Sequence, residues 1–163
     1  VLPLNPQRYR HVWMFKEENV HPLGADADFR IGIDEALQAE GFEVHVFDPA
    51  LHKLDDCANA DLIIYAIAQE SLLTKSRLFL DWAKLHGGAM AGMRRLWWDK
   101  PTMLISFGHP YYLYDAPRMP CVINAYTATP QVQSALIEKL MGRSTFTGKS
   151  PVDAFCGLPD AIN

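Results

Sequence analysis

Five short apolar runs punctuate the chain: His11–Lys16, Glu43–Asp48, Asp61–Ala68, Thr102–Phe107 and Cys121–Tyr126. Two of them hold near-continuous aliphatic stretches, LIIYAIA and MLIS. A strand that is apolar at every position is covered on both faces, as in a parallel sheet packed between helices. Between the first two runs, Phe29, Ile33, Ala36 and Leu37 recur at helical spacing and predict a helix over Asp28–Glu40. Asp26 or Asp28 suits its N-cap, and Gly41 suits the left-handed residue that closes it. Over Thr74–Trp98, Leu78, Trp82 and Leu85 continue the same period. Gly87–Gly88 breaks that run, and a second helical piece is expected over Ala89–Trp98. The last helix has the clearest limits: Thr129 as N-cap, Pro130 in the first turn, Gly142 past the end. Its predicted buried stripe is Val132, Ala135, Leu136 and Leu140.

Strands that alternate with helices imply an α/β fold with right-handed crossovers. We expect a three-layer αβα sandwich around a mostly parallel sheet of about five to six strands, flavodoxin-like, with the strand order unspecified by the sequence. The expected division is an interdomain linker remnant at 1–10, the sandwich at 11–142, and a tail packed on the domain surface at 143–163. The lead VLPLNPQRY carries two prolines and no periodicity, and the tail is marked by Gly148, Pro151, Gly157 and Pro159.

The 163 residues fit one domain, and 49% apolar content suffices for a core. A net charge of -4 with interspersed signs gives no field for nucleic acid or anionic lipid, so neither partner is expected. No run reaches membrane-span length, and no export leader opens the given sequence. The compartment is left open, although three cysteines without a CxxC pair lean towards reduced thiols and a cytoplasmic setting.

Most apparent motifs fail on spacing or context. GRSTFTGKS (Gly142–Ser150) has five residues between its glycines where a phosphate loop has four, and it follows a helix. The first strand leads into Glu17, Glu18 and Asn19, and two carboxylates there would repel a flavin or nucleotide phosphate; no GxGxxG occurs. No cofactor is expected, and no ligand spacing suggests a metal. Ser106, His109 and Asp115 could be drawn as a hydrolytic set, but Ser106 lacks the GxSxG elbow. His86, in LHGG, and His109, beyond the fourth strand, are read first as histidines bonded to backbone. Tyr111, Tyr112, Tyr114, Trp97 and Trp98 could stack on sugar, but core or interface packing is the preferred reading. No catalytic set emerges from the residues alone.

In chain order, the opening LPL, LHGG (Leu85–Gly88), PTMLISFGHPYYLYDAPRMPCVINAY (Pro101–Tyr126) and FTGKSPVDAFCG resemble the carboxyl-terminal α/β sandwich domain of glycoside hydrolase family 3. The resemblance is strongest to the β-N-acetylhexosaminidase-type branch. It implies a parent enzyme in which a TIM barrel carries the aspartate nucleophile and packs against this domain. The isolated domain is then expected to be inactive, since retaining glycosidases need two groups about 5 Å apart. In the glucosidase branch an acid/base glutamate follows a strand of this domain. The matching place here falls at Gln69, which cannot supply a proton, and its neighbour Glu70 is read as a solvated loop carboxylate. Cleft-edge candidates are therefore Gln69, Glu70, His86, His109 and Tyr111, with a glycan substrate as a possible neighbour. The rival reading is a stand-alone carbohydrate- or protein-binding α/β module, and a flavodoxin-like cofactor protein is the third.

Overall fold

The computed structural model describes residues 1–18, 30–69, 79–159 and 161. Five strands form the sheet: β1 (His11–Glu18), β2 (Glu43–Val46), β3 (Leu62–Ala68), β4 (Thr102–Ser106) and β5 (Val122–Asn124). All four pairings are parallel, in the order β2-β1-β3-β4-β5. The helices are α1 (Ile33–Ala39), α2 (Trp82–His86), α3 (Ala89–Gly92) and α4 (Pro130–Leu140). The expected sandwich is the observed one, and the strand order is of the flavodoxin type.

The sheet divides the apolar residues into two cores. On one face Val12, Met14, Ile64 and Met103 meet Leu37 of α1 and Leu136, Ile137 and Leu140 of α4. On the other, Phe15, Ile63, Tyr65 and Leu104 meet Trp82 and Leu85 of α2, Trp97 and Tyr112. Every residue of β3 and β4 is buried, which explains their near-continuous aliphatic runs.

Two helical boundaries and one buried face differ from expectation. Helix α1 begins at Ile33 rather than near Asp28: the N-cap is Gly32, whose N–H donates to Gln133 Oε1 at 2.7 Å. The proposed caps Asp26 and Asp28 lie outside the described residues. The piece expected over Ala89–Trp98 is split into α3 and a 3-10 turn at Leu96–Trp98. Gly92 allows the close approach there, because a Cβ on it would stand 2.8 Å from Ala83 Cα. On α4 the buried stripe is Leu136, Ile137 and Leu140; Ala135 is exposed and Val132 half-buried. The helix is rotated by about one residue from the predicted face, leaving Val132 and Ala135 along an open groove.

The ends are attached to this frame. Leu4 is buried, and its N–H donates to Leu140 O at 2.7 Å. In the tail, Ala154 and Ala161 are buried, and Tyr126 Oη lies 3.0 Å from Ser150 Oγ.

Candidate functional site at the carboxyl edge of the sheet

Five parallel strands bring their carboxyl ends to one edge, and open α/β folds hold ligands where the strand order reverses. Here the reversal lies between β1 and β3. β1 runs on to Glu18, beyond the predicted Lys16, because Glu17 and Glu18 pair in register with Ile67 and Ala68. Glu18 faces α1 and accepts from the Ile31 N–H at 2.7 Å. Lys16 Nζ donates to Ile31 O and to Asp34 Oδ1, so the start of α1 is tied to β1. Glu17 points to the opposite face, where Oε1 meets Lys84 Nζ of α2 at 2.9 Å.

Beyond β3 and β4 the chain closes on itself. Gln69 is buried, and its carbonyl accepts from the His109 N–H at 3.3 Å. Gly108 permits this crossing, since a Cβ there would lie 2.7 Å from the Gln69 carbonyl carbon. His109 Nδ1 accepts from the Tyr111 N–H at 3.4 Å, so the neutral ring carries its proton on Nε2. The two rings lie 5.1 Å apart. The structure therefore brings Gln69, His109 and Tyr111 together on adjoining loops. Glu70 lies outside the described residues.

His86 sits apart from this group, deep in the second core. It is 2% exposed and packs against Phe15, Tyr65 and Trp82, with ring centroids 5.3 to 5.8 Å away. Nδ1 must donate to Ala91 O at 3.1 Å, so Nε2 accepts from Tyr65 Oη at 2.9 Å. Burial holds its pKa below the usual histidine value, with a smaller push from Arg95 and Arg94.

The imagined hydrolytic set is not assembled. Ser106 Oγ donates to the His109 carbonyl at 3.0 Å, and Asp115 Oδ2 accepts from the Leu80 N–H at 2.6 Å. Each side chain braces a loop. The aromatic residues divide: Tyr112 and Trp97 are core, while Trp98 and Tyr114 are 68% and 43% exposed. Burial, with the charges of Glu17 and Asp115, pushes the Tyr112 hydroxyl up to about 12. Cys57 is buried and likewise pushed up to about 12, mainly by desolvation, which makes it a poor nucleophile. Among the described residues no group of His, Cys, Asp and Glu is arranged to hold a metal.

Sequence reasoning placed Glu17 only as a repellent for phosphate. Its burial went unread, because Glu17 stands between Lys16 and Glu18 and the three charges together look like a solvated strand end.

No protein-family model matches the chain. A β-N-acetylglucosaminidase/β-glucosidase of Cellulomonas fimi is 33% identical over 98% of this chain. Among solved structures, β-glucoside phosphorylase BglX superposes with a TM-score of 0.79 at 35% identity, covering 99% of this chain. The same phosphorylase bound to 2FGlc gives 0.78 at 34% identity over 97%. The chain spans 30% of the length of the Cellulomonas protein and 29% of the phosphorylase, so both have further sequence outside the matched region. Two independent likenesses, of sequence and of fold, converge on the relationship read from the ordered motifs. Over nearly its whole length the chain is therefore similar to one part of these enzymes, in keeping with its resemblance to the carboxyl-terminal α/β sandwich domain of glycoside hydrolase family 3.

Proposed function

We propose that this domain serves a parent enzyme that cleaves β-linked glucosides or N-acetylglucosaminides, packing on a TIM-barrel domain that supplies the nucleophile. The observation that carries this reading is the match of nearly the whole chain to under a third of a glycosidase. The relatives' names span transfer to water and to phosphate, so the acceptor in the parent is one of these two. Within this arrangement the 1–10 lead joins the barrel, and the 143–163 tail lies along the outer face of the sandwich.

The loops after β3 and β4 then border the sugar cleft. Gln69 holds the His109 loop through its carbonyl, and its carboxamide has no transferable proton. His109 presents an Nε2–H donor, and Tyr111 an aromatic face, beside that cleft. His86 supports the site only through the core.

The direct test is an assay of the purified 163-residue chain and of its parent on aryl β-glucoside and aryl β-N-acetylglucosaminide. The parent is expected to turn over and the isolated chain to be silent. Turnover by the chain alone, free of contaminating enzyme, would refute the division of labour.

A second reading, a stand-alone binding module, is favoured by the exposed rings of Trp98 and Tyr114. Saturable quenching of tryptophan fluorescence by N-acetylglucosamine or a glycan supports it, and an unchanged spectrum removes it.

A further inference from the structure

A cavity of about 160 Å³ opens at the carboxyl ends of β1 and β2, lined by Phe15, Glu17, Phe47, Pro49, Lys84 and Leu85 among others. Glu17 is only 6% exposed, yet the cavity leaves its carboxylate half-satisfied. Oε1 is taken by Lys84 Nζ, while Oε2 is buried and has no hydrogen-bond partner among the described residues. A buried acceptor without a donor costs about 1–3 kcal/mol, more when charged, so a donor that reaches Oε2 is favoured there.

The surroundings specify the missing donor. Lys84 already neutralises the carboxylate, so a second cation would add an uncompensated charge. A neutral O–H adds none. The walls are apolar: Phe15 and Phe47 stack with centroids 4.5 Å apart, and Pro49 and Leu85 close the sides. Aromatic faces pack well against the C–H surface of a polyol while its hydroxyl bonds elsewhere. The volume suits a small polyol or one hydroxymethyl arm, not an oligosaccharide.

We propose that this cavity is a binding site for a hydroxyl-bearing neutral ligand, a sugar or small polyol, whose O–H donates to Glu17 Oε2. The site stands on geometry alone; naming the ligand a sugar rests on the glycosidase reading above.

The test titrates the isotope-labelled 163-residue chain with glycerol and, separately, with glucose. It follows the Glu17 carboxylate carbon and the amides of Phe15, Phe47 and Leu85 by NMR. Saturable shifts at these positions are expected. They should weaken by about tenfold or more in Glu17→Gln, where the amide keeps one oxygen for Lys84 and turns an N–H2 towards the cavity. Should that variant not fold, Lys84→Ala gives the reading, because Lys84 is largely exposed. Freed of its cation, Glu17 should then respond to methylammonium more strongly than to glycerol, the reverse of the unaltered chain.

An unmoved Glu17 carbon with both probes overturns the proposal, as do shifts that persist unchanged in Glu17→Gln. Glycerol binding without glucose binding upholds the hydroxyl site and counts against the sugar reading. A silent cavity in a chain whose parent cleaves glucosides removes the site and leaves that reading intact.

Discussion

His86 shows how one residue ties stability to pH. Its ring is enclosed by Phe15, Tyr65 and Trp82, with both nitrogens committed to Tyr65 and Ala91. Protonation would place a donor against the Tyr65 hydroxyl, next to Arg94 and Arg95, which already crowd the site with positive charge. The folded pKa therefore lies below the unfolded value of 6.5, and the unfolded chain binds more protons between the two. This contribution is complete above 6.5 and is lost as pH falls towards the folded value. Urea midpoints should drop between pH 7.5 and 5, and His86→Phe should flatten that slope; an unchanged slope in the variant would assign it to other groups. Tyr65→Phe should cost about 1–2 kcal/mol at neutral pH, since it strips the buried Nε2 of its donor. At Gly108 any side chain collides with backbone at Gln69, so Gly108→Ala should lose roughly 1–3 kcal/mol in chemical denaturation. These consequences were hidden in the sequence, because LHGG and SFGH show the residues without the partners that enclose them.

At the scale of elements, legibility followed the strength of local signals. Helix α4 ends as its glycine announced: the Arg143 N–H reaches Glu138 O at 2.8 Å and the Gly142 N–H reaches Lys139 O at 3.1 Å, with Gly142 at φ +74°. Helix α1 closes the same way, with Phe42 N–H on Leu37 O at 3.2 Å and Gly41 at φ +94°. Gly142→Ala should therefore cost roughly 1–2 kcal/mol by thermal or urea unfolding. Its Cβ would also press on Pro3, at 2.9 Å, whereas Gly148→Ala meets nothing and should be neutral. The β-strands were legible from their burial on both faces. The α2–α3 region was less so, because its course is set by tertiary contact: Gly92 lies against Ala83, and Arg95 stacks 4.9 Å over Trp82. The buried face of α4 was misplaced for a related reason. Ala135 satisfies the periodic pattern, but the groove beside β5 and the tail leaves it exposed, and Ile137 takes its place in the core.

For the whole molecule, the alternation of elements gave the layers, while the order β2-β1-β3-β4-β5 is a long-range property that no local pattern encodes. That order decides where chemistry gathers. It sets Glu17 beside β3, and the Gln69 carbonyl under the His109 loop, residues that lie far apart in the chain. The proposed function rests on ordered motifs that resemble family 3 rather than on any catalytic set, and the likeness of fold to the phosphorylase agrees. The proposed function needs a barrel that holds the nucleophile beside this sandwich. The most direct measurement is the sequence of the reading frame on both sides of the Val1–Asn163 codons. A barrel-coding region in the same frame is expected, with an aspartate in the nucleophile position. A start codon immediately before Val1 and a stop after Asn163 would contradict it and turn attention to a free-standing binding module.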